Sequence, residues 1–135
     1  MKRFICASLT ASLLTLPAIA QDLSSLQYAM ANGISIDAEL YGRPVHMSVA
    51  YHADGRSTTH ITGAAARGAD ISGTWRVQGD QLCTVNIMNP TEACFKIPSA
   101  KKPGEPFTLT TPALGEVTVT INRQTDSPPG QLPAP

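Results

Sequence analysis

From Ile34 onward the chain alternates apolar and polar residues almost one for one. Ile34, Ile36, Ala38 and Leu40 alternate with Ser35, Asp37 and Glu39. Val45, Met47, Val49 and Tyr51 alternate with His46, Ser48, Ala50 and His52, and Val117, Val119 and Ile121 with Glu116, Thr118, Thr120 and Asn122. A strand turns successive side chains to opposite faces, so this period predicts strands with one buried face. Shorter strands are expected over 57–62, 71–77, 81–87, 93–97 and 107–111. Turn-forming runs separate them: Gly42-Arg43-Pro44, Asp54-Gly55, Gly79-Asp80, Asn89-Pro90, Lys102-Pro103-Gly104 and 112–115. Only 22–32 reads as helix. There Leu23, Leu26 and Met30 share one helical face, Asp22 can cap the start and Gly33 can end it. The expected fold is mainly β: an antiparallel meander of about eight short strands, curling into a small barrel or half-barrel with the helix closing one end.

Two hairpins can be taken to register. At Asp54-Gly55 a two-residue turn would put Thr58 and His60 on the face of Val49 and Tyr51. A three-residue loop with Gly55 as the bulge pairs His52 with Arg56 and brings Ile61 onto that apolar face instead. A one-residue slip flips a whole strand, so the apolar face decides for the bulge. The same criterion at Gly79-Asp80 favours a three-residue loop pairing Val77 with Gln81, although a two-residue turn fits the turn chemistry. Trp75 then lies opposite Cys83, Gly73 opposite Val85 and Ile71 opposite Ile87. This makes Trp75 a core residue near the Cys83 sulfur. Cys94 cannot then point inward together with Phe95 and Ile97, unless that strand is bulged or covered on both faces.

The chain's two ends read differently from its middle. Lys2-Arg3, an uncharged apolar run from Phe4 to Leu16, and Pro17-Ala18-Ile19-Ala20 have the form of a secretory signal peptide over 1–20, cut after Ala20. The run is too short for a spanning helix of roughly 20 residues, and no Cys stands at the cut to carry lipid. The short basic start and Ala-rich cut read as bacterial, which makes the periplasm the expected compartment. Residues 124–135, Q-T-D-S-P-P-G-Q-L-P-A-P, hold four prolines and almost no apolar side chain, and are expected to be a disordered tail. The single domain is therefore 21–123. Cleavage removes Cys6 and leaves Cys83 and Cys94, which in an oxidising compartment most simply form one disulfide. Their spacing of eleven fits neither a metal pair nor a C-x-x-C redox motif.

The run Gly73-Thr74-Trp75-Arg76-Val77-Gln78-Gly79-Asp80-Gln81-Leu82-Cys83, followed by Cys94-Phe95 and preceded by Tyr51-His52-Ala53-Asp54-Gly55-Arg56, resembles a recurrent pattern. It is similar to that of small exported, mostly bacterial β-rich proteins of unknown function, some of them comparable to lipocalin-like barrels. The pattern covers about a third of the mature chain and consists largely of hairpin and disulfide positions. The resemblance implies the fold and no catalytic residue.

Charge and motifs narrow the function. Lys+Arg and Asp+Glu number 10 each, so no excess of charge points to nucleic acid or an anionic membrane. No G-x-S-x-G elbow or S-x-x-K motif frames a nucleophile, and G-A-A-A-R-G at 63–68 lacks the Lys-Ser/Thr and the helix of a phosphate loop. No cofactor motif is found, so neither catalysis nor a cofactor is expected. Asp37 and Glu39 share a strand face, where polar residues are ordinary. The best constellation is histidine. In the bulged register His46, His52 and His60 lie on the polar face of one hairpin, with His60 opposite Ser48. His46 and His60 are then diagonal neighbours, able to share a zinc or copper ion, while His52 is farther along.

The leading expectation is an exported, non-enzymatic β-domain that acts as an accessory or regulator by binding an envelope or periplasmic protein. The alternative is a carrier of a small apolar ligand, since an eight-stranded barrel just holds one. A closed cavity would favour the carrier. A core filled by Ile71, Trp75, Val77, Val119 and Ile121 would exclude it.

Overall fold

A computed structural model of the chain describes residues 24–63 and 68–128. The proposed signal peptide, Asp22, Leu23 and most of the 63–68 loop lie outside these residues. The helix, α1, runs Ser25–Asn32. Its cap is Ser24 and not the expected Asp22: the Ser24 hydroxyl accepts from Gln27 N–H, and the Gln27 side chain accepts from Ser24 N–H. This reciprocal box satisfies two backbone donors that a helix start otherwise leaves free. Gly33, at φ +75, ends the helix as expected.

Eight strands follow: β1 Ile34–Leu40, β2 Arg43–Tyr51, β3 Arg56–Gly63, β4 Ala69–Gln78, β5 Gln81–Asn86, β6 Ala93–Lys96, β7 Pro106–Thr111 and β8 Gly115–Ile121. They form one antiparallel sheet in the order β6-β5-β4-β3-β2-β1-β8-β7. The sheet curls into a nearly closed barrel whose seam lies between β6 and β7. β1 pairs with both β2 and β8, so the first and last strands are neighbours in the middle of the sheet.

The β2–β3 hairpin has the bulged register. His52 N–H donates to Arg56 O at 2.9 Å, Gly55 takes φ +83, and Met47 stands opposite Ile61. Asp54 accepts from the Arg56 backbone and from its guanidinium, which fixes the loop. The β1–β2 turn is tighter than expected. Tyr41 and Gly42 form it alone, both at positive φ (51° and 74°), while Arg43 and Pro44 already pair with Leu40 and Glu39. Positive φ at both central residues is the hairpin geometry that follows the strand twist.

The β4–β5 register differs from the expectation by one residue. Gln78 pairs with Gln81, Val77 with Leu82, Arg76 with Cys83 and Trp75 with Thr84. Gly79 and Asp80 make a two-residue turn with Gly79 at φ +62, so glycine chemistry prevails over the apolar-face criterion. Ile71 stands opposite Thr59 and Gly73 opposite Asn86, while Ile87 leaves the sheet and is 79% exposed. The slip moves Cys83 to the outer face, where it lies directly opposite Cys94 with the two sulfurs bonded. Leu82 and Phe95 then face inward together. No bulge in β6 is needed, because the disulfide and the aromatic side chain never shared a face.

Trp75 does face the core, but away from the disulfide. It meets Tyr51 edge to face, ring centres 5.7 Å apart, and its indole N–H donates to His52 O at 2.9 Å. Trp75 is half-buried, and the pairing of its N–H keeps that burial from stranding a donor. The core has two parts. One lies toward α1 and includes Ala29, Ile34, Val49, Tyr51, Leu82, Phe107, Val119 and Ile121. The other, Val45, Met47 and Ile61, lies toward the far end. The helix end is sealed by polar ties. Asn32 Nδ2 donates to Asn122 O, Ser35 Oγ to Asn122 Oδ1, and Lys101 N–H to the Ser25 hydroxyl. Beyond β8, Gln124–Asp126 form a 3₁₀ turn, so the tail begins with a defined element where none was expected.

Gly73 is a close-approach position. A Cβ there would lie 2.5 Å from Val85 O and 2.9 Å from Asn86 Cβ. Gly73→Ala is expected to lower unfolding free energy by about 1–3 kcal/mol, because the obstacle includes backbone. Urea unfolding of the oxidised protein checks this, and an unchanged midpoint would count against the β4–β5 register.

Candidate functional site

The outer face holds the histidines where the pattern placed them. His60 is opposite Ser48, and His46 is opposite Thr62, so the two are diagonal neighbours. Each imidazole, however, has its own carboxylate. His46 Nδ1 lies 2.8 Å from Asp37 Oδ1 on β1, and His60 Nδ1 lies 2.6 Å from Asp70 Oδ1 on β4. These partners stand on opposite sides of the β2–β3 pair, one carboxylate for each ring. His46 and His60 belong to no group of three metal-ligating side chains among the described residues. Among the described residues neither imidazole hydrogen-bonds a hydroxyl or thiol, whereas His52 Nε2, farther along the hairpin, lies 2.9 Å from Thr58 Oγ1. Of the two carboxylates that share the β1 face, Asp37 is engaged by His46 and Glu39 lies beside the β1–β2 turn.

A second polar cluster covers the disulfide. Arg76 Nε donates to Glu92 Oε2 at 2.8 Å, and Arg76 Nη2 donates to Glu92 Oε1. Glu92 lies close to Cys83 and Cys94, but bonded sulfurs offer no thiolate for a metal. The guanidinium holds the Glu92 carboxyl below its ordinary range. Lys96 does the same for Asp80, and the Arg56 backbone and side chain for Asp54.

The inner face is the more distinctive surface. Between the two core clusters the barrel is not filled. A cavity of about 100 Å³ runs from Tyr51 and Phe107 near the helix end to Met88, Ala113 and Leu114 at the far end. Ile34, Ile36, Val117 and Val119 from β1 and β8, with Phe107 and Leu109 from β7, make one apolar wall. Ser57 and Thr59 from β3 and Thr84 and Asn86 from β5 make the facing wall. No Asp, Glu, Lys, Arg or His lines the space among the described residues. Tyr51 contributes its ring, and burial pushes its phenol well above the ordinary range, so it is neutral. Of the five residues whose packing would have filled the barrel, Val119 and Ile121 are fully buried. Ile71 and Trp75 are half-buried, and Val77 is 39% exposed. A shallow groove follows the β6–β7 seam, and Met88, Asn89, Phe95 and Ala113 line both it and the cavity.

The inward hydroxyls escaped the sequence reading because strands β3 and β5 look polar on both faces. The signal was present in the parity: once Met47 faces Ile61, Ser57 and Thr59 must face inward too. In comparisons with known proteins, no family model matches this chain, and no curated protein or solved structure matches it either.

Two outcomes follow for the outer face. Reducing the Cys83–Cys94 bond, or replacing both residues with Ala, should cost about 2.5–3 kcal/mol of stability by denaturant titration, since it frees a short loop in the unfolded chain. The carboxyls of Asp54, Asp80 and Glu92 are depressed in the fold. Their contribution is therefore present above the unfolded values and lost as pH falls through the folded ones. The melting temperature should hold down to about pH 5 and decline below about pH 4, and Glu92→Gln should make that decline slightly shallower. A melting temperature that rises on acidification would contradict these pairings.

Proposed function

We propose that this chain is an exported β-barrel that holds one small, largely apolar molecule in its interior. The observation that carries the reading is the unfilled space between two packed clusters, walled by Ile, Val, Leu and Phe side chains. A core that only needed to be stable would close this space, because interior voids cost dispersion contacts. At about 100 Å³ the cavity is of the order of one that accepts benzene, and so suits a single ring or a short chain. It is too small for a long acyl chain. The disulfide fits an oxidising compartment, in keeping with a signal peptide over 1–20 and a periplasmic address. The eight-stranded, disulfide-bearing architecture also suits the lipocalin-like resemblance of the G-x-W-x-V-x-G-D-x-L-C pattern.

The protein-partner reading is supported by a different observation. β6 and β7 each keep one edge unpaired at the seam, and Ile87, just past the end of β5, is 79% exposed. Unpaired edges and exposed apolar side chains are common sites of association with an envelope protein. Among the described residues no helix is long and apolar enough to cross a membrane.

The two readings separate experimentally. Toluene at millimolar concentration should raise the melting temperature of the oxidised chain. Ile71→Phe, which fills the space from a half-buried position, should abolish that shift while leaving the protein folded. No shift with toluene, together with a crosslinked partner recovered from periplasm, would move the function to the seam.

A further inference from the structure

We infer that the ligand is an uncharged amphipathic molecule, with one hydrogen-bonding edge and one apolar face, held edge-on against β3 and β5. This rests on reading the interior as a ligand site and states what chemistry fits it.

Three hydroxyls face the space. Ser57 and Thr59 are 5% and 7% exposed, and Thr84 is half-buried. All three line the cavity, and none hydrogen-bonds another group among the described residues. Their oxygens keep access to the cavity, since Asn122 Nδ2 is the buried side-chain polar atom without a partner among the described residues, so a guest that covers the hydroxyls without pairing them strips them of water at a cost. The Asn86 amide sharpens the point. Its oxygen accepts from Met88 N–H at 2.8 Å and from Asn89 N–H at 3.0 Å, which fixes the side chain's orientation. That leaves Asn86 Nδ2 as a donor on the cavity wall, without a partner among the described residues.

Register places these groups side by side. Ser57, Gly73 and Asn86 form one row across β3, β4 and β5. Gly73 contributes no side chain, and a methyl there would come within 3.0 Å of Ser57 Oγ. The row therefore sets Ser57 and Asn86 on either side of a glycine that both side chains crowd, which leaves the hydroxyl and the amide as the polar groups at the cavity wall. Thr59 lies next along β3 and Thr84 next along β5. The facing wall is apolar at Ile36, Val117, Val119 and Leu109, and the one hydroxyl at its end, that of Thr111, already accepts from Leu114 N–H.

Chemistry then selects the ligand. A carboxylate or ammonium would enter a space with no opposite charge and lose its hydration uncompensated. A pure hydrocarbon would displace water from Ser57, Thr59 and Thr84 and leave them stranded. A neutral molecule with a hydroxyl, carbonyl or amide on one edge meets both walls. Sites built to hydrogen-bond a group discriminate against analogues that lack it.

The test is a matched set of ring-sized probes, toluene, benzyl alcohol, benzamide and benzoate, titrated into the oxidised protein by calorimetry. Benzyl alcohol or benzamide should bind about 3- to 10-fold more tightly than toluene, the increment of a net hydrogen bond, and benzoate should bind more weakly than either. In the Ser57→Ala, Thr59→Val double variant the preference should shrink toward unity while toluene binding is kept or improved. Toluene binding equal to that of benzyl alcohol would overturn the inference and leave the cavity reading standing, as would a preference that survives the double variant. Benzoate as the tightest probe would overturn the claim of neutrality. No binding by any probe would remove the cavity reading itself, and the inference with it. Retained toluene binding by the double variant also shows that it folds.

Discussion

Each hydrogen-bonded strand pair in this barrel hands its inward parity to the next. Ile34 stands between Val49 and Ile121, Val49 faces Thr59, and Thr59 faces Ile71. Once one strand is set, all eight are, because side chains alternate strictly and a slip of one residue reverses a face. The loops enforce the parity. Tyr41-Gly42, the Asp54-Gly55 bulge and Gly79-Asp80 each set the register of one hairpin through positive φ. The disulfide is a consequence of this ladder: Cys83 and Cys94 are direct cross-strand partners on the outer face. The same parity forces Ser57 and Thr59 into the interior, where a packing argument alone would have put apolar residues.

The strand pattern was legible wherever one face was wholly apolar. β1, β2 and β8 alternate cleanly, and the Asp54-Gly55 bulge followed from asking where Ile61 belonged. The same question failed at Gly79-Asp80 because it treated Cys83 as an interior residue. A disulfide is apolar enough for a core yet stable on a surface, and here Arg76 and Glu92 cover it. The glycine at the turn was the better guide. Ser24 replaced Asp22 as the cap because Gln27 stands three residues on and completes the reciprocal pair.

The candidate sites were legible to different depths. The outward placement of His46 and His60 followed from register. Their carboxylates did not, since Asp70 reaches His60 only through the β3–β4 pairing, whose offset depends on the length of the 63–68 loop. With Asp37 and Asp70 on opposite flanks, the histidines read more naturally as two separate surface pairs than as one ligand set. The cavity was named as a possibility but could not be sized. Its volume depends on how far the sheet closes and on which inward positions carry small side chains. Ser57, Thr59 and Thr84 are such positions, and each is ordinary in a strand. A barrel filled by Ile or Leu at those positions would have the same strands and no space.

The central claim is that the interior between the two packed clusters is open to a small apolar guest. Carbon-13 methyl spectra under xenon pressure test it most directly, because xenon enters apolar cavities without needing a hydrogen bond. Saturable shifts are expected at methyls that line the space, such as those of Ile36, Ile71, Leu109 and Val119, with Ile61 and the exposed Ile87 unmoved. Small, uniform, non-saturating shifts at all methyls would contradict it and return the barrel to a closed structural core.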